Sequence, residues 1–330
     1  MSLILKKIIE SPAAWKGRDF AEDSSWVHFL SEDDLQVIDH ALTQCRRCHL
    51  EFPHFEKDDF SLHLLAKELG RFTEELENGR GFFLLRGLPI ERYTEDDIKT
   101  IYYGIGLNLG QPVPQNPKGD LLGSVENVGD TQNKETRVYE TNNYLPYHTD
   151  PSDVFGLLCL RKSMRGGLSS LVSSATVYNE ILEHHPELLG LYYRPMYYAH
   201  LGEDSRSPVF SFYEGKLSCR YLRQYIEFGH EVRGLALSKV EVEALDLFDS
   251  ITHDPSFRLD LMLEPGDLLF ANNYAVLHSR TAYEDFKDPT QRRKLFRLWL
   301  KMPNGRKLAV DFPGRNGFST SDIDNICAEN

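Results

Sequence analysis

The apolar positions of this chain change their period near residue 80. Before that point Leu62, Leu65, Leu69, Phe72 and Leu76 recur at three- and four-residue spacing, one face of a helix, and Asn78-Gly79 supplies its stop signal. Upstream, SEDDLQVIDHALTQCRRCH (Ser31 to His49) reads as one continuous helix. GFFLLRGLPI, beginning at Gly81, is a glycine-bounded apolar run too short for a helix, hence a buried strand. Thr94 then forms a capping box with Asp97 and opens the helix EDDIKTIYYGIGLNLG.

From about residue 120 the pattern becomes short apolar runs separated by turn residues: LLGSV, TRVYE, VFGLLCL, LSSLVSS, PVFSFY, KLSCRYL, FRLDLML, DLLFAN and KLFRLWLK. Two helices interrupt them, ATVYNEILEHHPELL and SKVEVEALDLFDSITH, the second with a Ser238/Glu241 capping box. Many strands with few helices between them predict a mainly β fold, a barrel or jelly-roll sandwich with flanking helices. No glycine-rich phosphate fingerprint follows the first strand, so a dinucleotide-binding fold lacks support. Without repeats or low-complexity linkers, the expectation is a single domain over 1–330, mainly helical to about residue 80 with a strand core over about 81–302.

Composition adds exclusions. A formal charge of −13 with 41% hydrophobic and 26% charged residues describes a folded acidic protein, and opposes bulk electrostatic binding of nucleic acid or an anionic membrane. No apolar run reaches the length of a membrane span, and lysines interrupt the opening MSLILKKIIESPAAWKG with no cleavage site after it; a cytoplasmic protein is expected. Five cysteines, at 45, 48, 159, 219 and 327, are odd in number and scattered, as reduced thiols are. CRRCH matches the spacing of c-type haem attachment, but we read it as an ordinary helix end with basic residues at the negative pole of the dipole, rather than as a haem or zinc site. The composition leaves the oligomeric state open.

The stretch YHTDPSD holds His148 and Asp150 two residues apart. On an extended chain both point to one side, with Thr149 facing away. Imidazole and carboxylate together suit a metal such as Fe(II), but two ligands are too few. Of the 12 histidines, His278 alone follows a Pro-Gly-Asp turn and an apolar strand, in LEPGDLLFANNYAVLHSRTAYED, where a barrel could return a third ligand. The histidines at 28, 40, 49, 54 and 63 fall in the helical N-terminal part, away from the strand core. In QRRKLFRLWLK, Arg293, Leu295, Arg297 and Trp299 share one strand face. Two arginines on a face that is otherwise apolar are costly to bury unless each meets an anion such as a carboxylate.

In this order, His-x-Asp, a distal His behind PGDLLFxNN and an Arg some fifteen residues beyond, the chain resembles the Fe(II)/2-oxoglutarate dioxygenases of the taurine dioxygenase and clavaminate synthase type (TauD/TfdA) from about GFFLLRGLP to RLWLK. The resemblance implies a double-stranded β-helix, cupin-like core. It implies that His148, Asp150 and His278 are catalytic iron ligands, with 2-oxoglutarate as cosubstrate and O2 as oxidant. It assigns Arg293 to the distal carboxylate of 2-oxoglutarate and Arg297 to an anionic group of a small-molecule substrate. Ser169, two residues after Gly166-Gly167, stands where the family places a threonine that holds the cosubstrate; Thr176 is the alternative. Asn143 and Tyr144 fall where relatives line the substrate pocket. Because Asp150 is present, hydroxylation, desaturation or cyclisation is expected rather than halogenation. The competing reading is a jelly-roll protein that binds metal or ligand without catalysis.

Overall fold

The computed structural model describes residues 3–116, 118–128, 141–200 and 203–318; the TRVYE run and Cys327 lie outside them. A short strand, β1 (Val27–Phe29), precedes helices α1 (Glu32–Arg47) and α2 (Ala66–Asn78). The Ser31 hydroxyl accepts the Asp34 N–H and the Asp34 carboxylate accepts that of Ser31, which fixes where α1 begins. The helix stops at Arg47; Cys48 caps it and His49 turns left-handed at φ 55°, so CRRCH straddles a helix end. Its Cys45 is fully buried and donates to the Asp59 carbonyl. His28 differs from expectation: it lies in β1, which joins a sheet by pairing in parallel with β2 (Phe82–Arg86). Helix α3 (Glu95–Leu109) opens on the Thr94/Asp97 box.

The strand-rich part begins with β3 (Gln111–Pro112), β4 (Leu122–Val125), β5 (Leu145–His148), β6 (Val154–Arg161), β7 (Arg165–Gly166) and β8 (Ser169–Ser173). Helices α4 (Ser174–His184) and α5 (Leu189–Tyr192) lead into the hairpins β9 (Met196–His200) with β10 (Glu203–Ser207), and β11 (Phe210–Tyr213) with β12 (Lys216–Cys219). KLSCRYL is strand only to Cys219. An uncapped helix, α6 (Arg223–Glu231), follows that the sequence pattern does not announce. Helix α7 (Lys239–His253), started by Ser238/Glu241, precedes β13 (Arg258–Leu261), β14 (Leu268–Asn272), β15 (Val276–Arg280), β16 (Tyr283–Glu284) and β17 (Lys294–Lys301). No described helix is long and apolar enough to cross a membrane.

Two sheets face each other. The larger runs β1-β2-β14-β6-β17-β3 with β4 also on β17, and the smaller runs β13-β8-β15-β5. Apart from the β1–β2 pair both are antiparallel, as a double-stranded β-helix requires. Side-chain alternation divides the core into layers. In β2, β14 and β17, the residues Phe82, Leu84, Leu269, Ala271, Leu295 and Trp299 point between the sheets, whereas Phe83, Leu85, Leu268, Phe270, Phe296, Leu298 and Leu300 pack against α1–α3. Each such fully buried side chain contributes about 1.5–3 kcal/mol. On the smaller sheet Leu171 and Val276 point inward, while Val172 and Leu277 meet α4 and α7.

The Pro-Gly-Asp turn before β14 is fixed on both sides. Gly266 has φ +88°, and a Cβ there would lie 2.0 Å from the Leu88 carbonyl oxygen. Asp267, 1% exposed, accepts both Nε (2.8 Å) and an Nη (2.6 Å) of Arg86 at the end of β2. The turn therefore sets the register in which β14 and then β15 enter the two sheets.

Candidate active site

His148 is the last residue of β5, and His278 is its direct partner on β15. Tyr147 points outward into the helical layer, so alternation turns His148 inward; Val276 points inward, and so does His278. The strand ends at His148, two residues earlier than an extended His-x-Asp segment implies. Asp150 reaches the same point from a loop because its N–H donates to Asn273 Oδ1 (3.0 Å), and Asn273 in turn donates to the Ser152 carbonyl (3.1 Å) and hydroxyl (3.0 Å). The second asparagine of FANN thus sets the carboxylate's position. Thr149 faces away, yet its N–H donates to the Tyr221 carbonyl (2.9 Å) and its hydroxyl accepts the Tyr221 N–H (3.3 Å).

One ligand atom from each of His148, Asp150 and His278 lies within 4.8 Å of the others, and among the described residues no other group of three His, Cys, Asp or Glu side chains converges this way. Nε2 of His148 is 3.8 Å from Asp150 Oδ1, and Nε2 of His278 is 3.7 Å from Oδ2, too far for hydrogen bonds. His148 Nδ1 lies 2.8 Å from the Pro146 carbonyl. A carbonyl only accepts, so Nδ1 carries the proton and Nε2 turns its lone pair toward Asp150. Burial pulls both imidazoles below their ordinary range, His278 well below it with His148 adding to the effect. Burial opposes ionisation of Asp150, but Arg297, the two histidines and the Trp299 N–H outweigh it and leave the carboxyl below its usual value. Two neutral imidazoles and a carboxylate aimed at one point repel each other unless a cation lies between them. The donor set, two imidazole nitrogens and a carboxylate oxygen, fits Fe(II).

Trp299 Nε1 donates to Asp150 Oδ2 (2.9 Å) and fixes the rotation of the carboxylate. Arg297, on the same face of β17, lies 3.8 Å from Asp150 Oδ1, donates through Nε to Gln115 Oε1 (2.8 Å) and rests 4.5 Å from the Trp299 ring. Gln115 also donates to the Arg297 carbonyl (2.6 Å). Arg293, just before β17, is buried, and one of its terminal nitrogens has no partner. Both arginines line the cavity that holds the three residues. Ser169 lines it too. The preceding Gly166-Gly167 turn is left-handed at both residues (φ +71° and +73°), and a Cβ on Gly167 would stand 3.3 Å from Arg293 Nε.

Other expected residues lie elsewhere. Thr176 spends its hydroxyl on the Trp15 carbonyl at the start of α4. Asn143 gives its carbonyl to Arg280, and the Tyr144 hydroxyl meets His253 Nε2 at 2.7 Å; neither is among the residues lining the cavity. Sequence reasoning missed Asn273, Trp299, Gln115 and above all Arg280, which lines the cavity two residues beyond His278. The His-x-Arg alternation could have revealed Arg280. A larger groove, about 570 Å³, lies away from the triad between the end of α1 and the start of α3. Its Arg46, Lys99 and Lys294 already pair with Asp97, Asp96 and Glu95.

Comparison with known proteins agrees with this geometry. The model of the taurine catabolism dioxygenase TauD, TfdA family matches residues 42–299. FR-33289 synthase of Streptomyces rubellomurinus is 33% identical over 316 residues, 92% of this chain and 93% of that protein. The taurine hydroxylase-like protein SAT17 of Stachybotrys chartarum is 27% identical over 86% of this chain and 77% of its own length. Among solved structures, an asparagine oxygenase in complex with Fe(II), 3-hydroxyasparagine and succinate superposes with TM-score 0.64 at 17% identity, covering 83% of this chain and 93% of that one. The non-heme iron oxygenase OrfP with Fe and alpha-ketoglutaric acid gives 0.59 at 14%, covering 83% and 94%. The fold is shared with those oxygenases, and with the family model spanning the strands that carry both histidines, the chain belongs to the TauD/TfdA family of iron(II)- and 2-oxoglutarate-dependent dioxygenases.

Proposed function

We propose that this oxygenase oxidises a C–H bond of a small carboxylate- or sulfonate-bearing metabolite, such as an amino acid derivative. The simplest outcome is hydroxylation: substrate, 2-oxoglutarate and O2 give the alcohol, succinate and CO2, while desaturation or ring closure uses the same hydrogen abstraction. The observation that carries the reading is the convergence of His148, Asp150 and His278 in one cavity with Arg293 and Arg297. The substrate class draws support from Arg297 and from solved relatives that hold amino acid products.

In this reading His148, Asp150 and His278 hold the iron, which when bound supplies oxygen activation coupled to decarboxylation of 2-oxoglutarate. His148 keeps its proton on Nδ1 through Pro146, so Nε2 stays a ligand. Arg293 and Ser169 bind the distal carboxylate of the cosubstrate. Arg297, oriented by Gln115, presents positive charge to the substrate anion. Phe155 and Leu171 keep the space between the sheets dry. The enzyme works in the cytoplasm, on a small molecule rather than on nucleic acid or membrane. The test is a panel of amino acids, small sulfonates and their amide or alcohol analogues that lack the anionic group, scored for substrate-stimulated 2-oxoglutarate consumption: stimulation by an anionic member supports the substrate class, and stimulation only by the analogues contradicts it.

A further inference from the structure

Arg280 lies two residues beyond His278 on β15, so it shares that residue's inward face about 6.8 Å further along. That distance is on the scale of a five-carbon diacid chain. Its side chain is only partly satisfied. One terminal nitrogen donates to the carbonyls of Thr141 (2.9 Å) and Asn143 (2.5 Å), but Nε and the other terminal nitrogen are buried without a partner, as is one nitrogen of Arg293. Both guanidiniums lie against the Tyr283 ring, 4.7 and 5.0 Å from its centroid. The acid beside them, Asp285, accepts the Arg293 backbone N–H at Oδ1 (2.9 Å), and its Oδ2 is buried without a hydrogen-bond partner; its charge acts on both guanidiniums, one carboxylate against two cations, and meets none of their unpaired N–H groups.

Buried N–H groups on two adjacent cations are expensive to leave unmet. Anchoring residues 141–143 accounts for one nitrogen of Arg280 and leaves two unexplained. An anion in the cavity would meet them, and Ser169, the cross-strand partner of Arg280 on β8, offers a hydroxyl at the same place.

We propose that Arg280 is a second cation for the distal carboxylate of 2-oxoglutarate, acting with Arg293 and Ser169, and that the pair makes the site select dicarboxylic over monocarboxylic 2-oxo acids. This rests on the iron and 2-oxoglutarate reading above.

The experiment measures anaerobic equilibrium binding to iron(II)-loaded protein of 2-oxoglutarate and of 2-oxopentanoate, which has the same chain length without the distal carboxylate. Arg280→Gln weakens 2-oxoglutarate by about 10–100-fold and leaves 2-oxopentanoate within about twofold. Arg280→Lys keeps the charge but not the fork; it also weakens 2-oxoglutarate and spares 2-oxopentanoate, and it carries the test if the glutamine variant does not fold. Unchanged 2-oxoglutarate affinity in either folded variant overturns the proposal, and so does equal weakening of both acids, which marks a structural role. If the wild-type protein itself does not bind 2-oxoglutarate, the functional reading falls and this one with it.

Discussion

His148 and His278 are direct cross-strand partners on β5 and β15, with ring centroids 4.1 Å apart. This one register brings together two candidate ligands 130 residues apart (278 minus 148). A slip by one residue would send either imidazole into the outer helical layer. His278→Ala removes one ligand from this pair while leaving its neighbours packed. Iron(II) binding falls by at least about 100-fold and turnover disappears, while the circular dichroism spectrum stays that of the parent. Retained iron-dependent activity in a folded variant refutes the triad.

Trp299 acts on iron only through Asp150, whose Oδ2 accepts its indole N–H. Trp299→Phe keeps most of the buried ring and deletes that donor, so iron affinity drops by about 10–100-fold in a metal titration. Unchanged affinity would mean that the loop and Asn273 suffice to orient the carboxylate.

Arg293→Gln removes a buried charge facing the cavity. The KM for 2-oxoglutarate rises by about 10–100-fold, and iron binding measured without cosubstrate is unaffected. A parallel loss of iron affinity would show instead that Arg293 supports the sheet.

Thr149 faces away from the triad but bonds the Tyr221 backbone in both directions. Thr149→Val keeps shape and loses the acceptor. It lowers unfolding free energy by about 1 kcal/mol in a denaturant melt, with iron affinity unchanged. A loss of iron binding without a stability change would contradict this division of roles.

The sequence made legible whatever depends on local period. β17 coincides with the run KLFRLWLK, and its odd and even residues divide between the two core layers as strand alternation predicts. The capping boxes at Thr94 and Ser238 start α3 and α7 where read. His148, Asp150, His278 and the two arginines could be singled out because strand spacing and family order both speak about single segments, and the structure brings all five to one cavity. What stayed hidden depends on partners brought together by folding: Trp299 with Asp150 is 149 positions distant, and Gln115 with Arg297 is 182. Helix α6 escaped notice because it has no side-chain cap and follows directly on a strand. Placing His148 and Asp150 on one strand led to the right convergence by an incomplete route, since Asn273 holds the aspartate in a loop.

The most direct test of the central claim is succinate formation from 2-oxoglutarate under air, with and without Fe(II), comparing the wild-type protein with Asp150→Ala. Iron-dependent succinate release by the wild type, raised by an anionic substrate and absent in Asp150→Ala, is the result predicted. No succinate from the folded wild type with any substrate, or equal release by both proteins, would contradict it and favour a jelly-roll protein that binds ligand without catalysis.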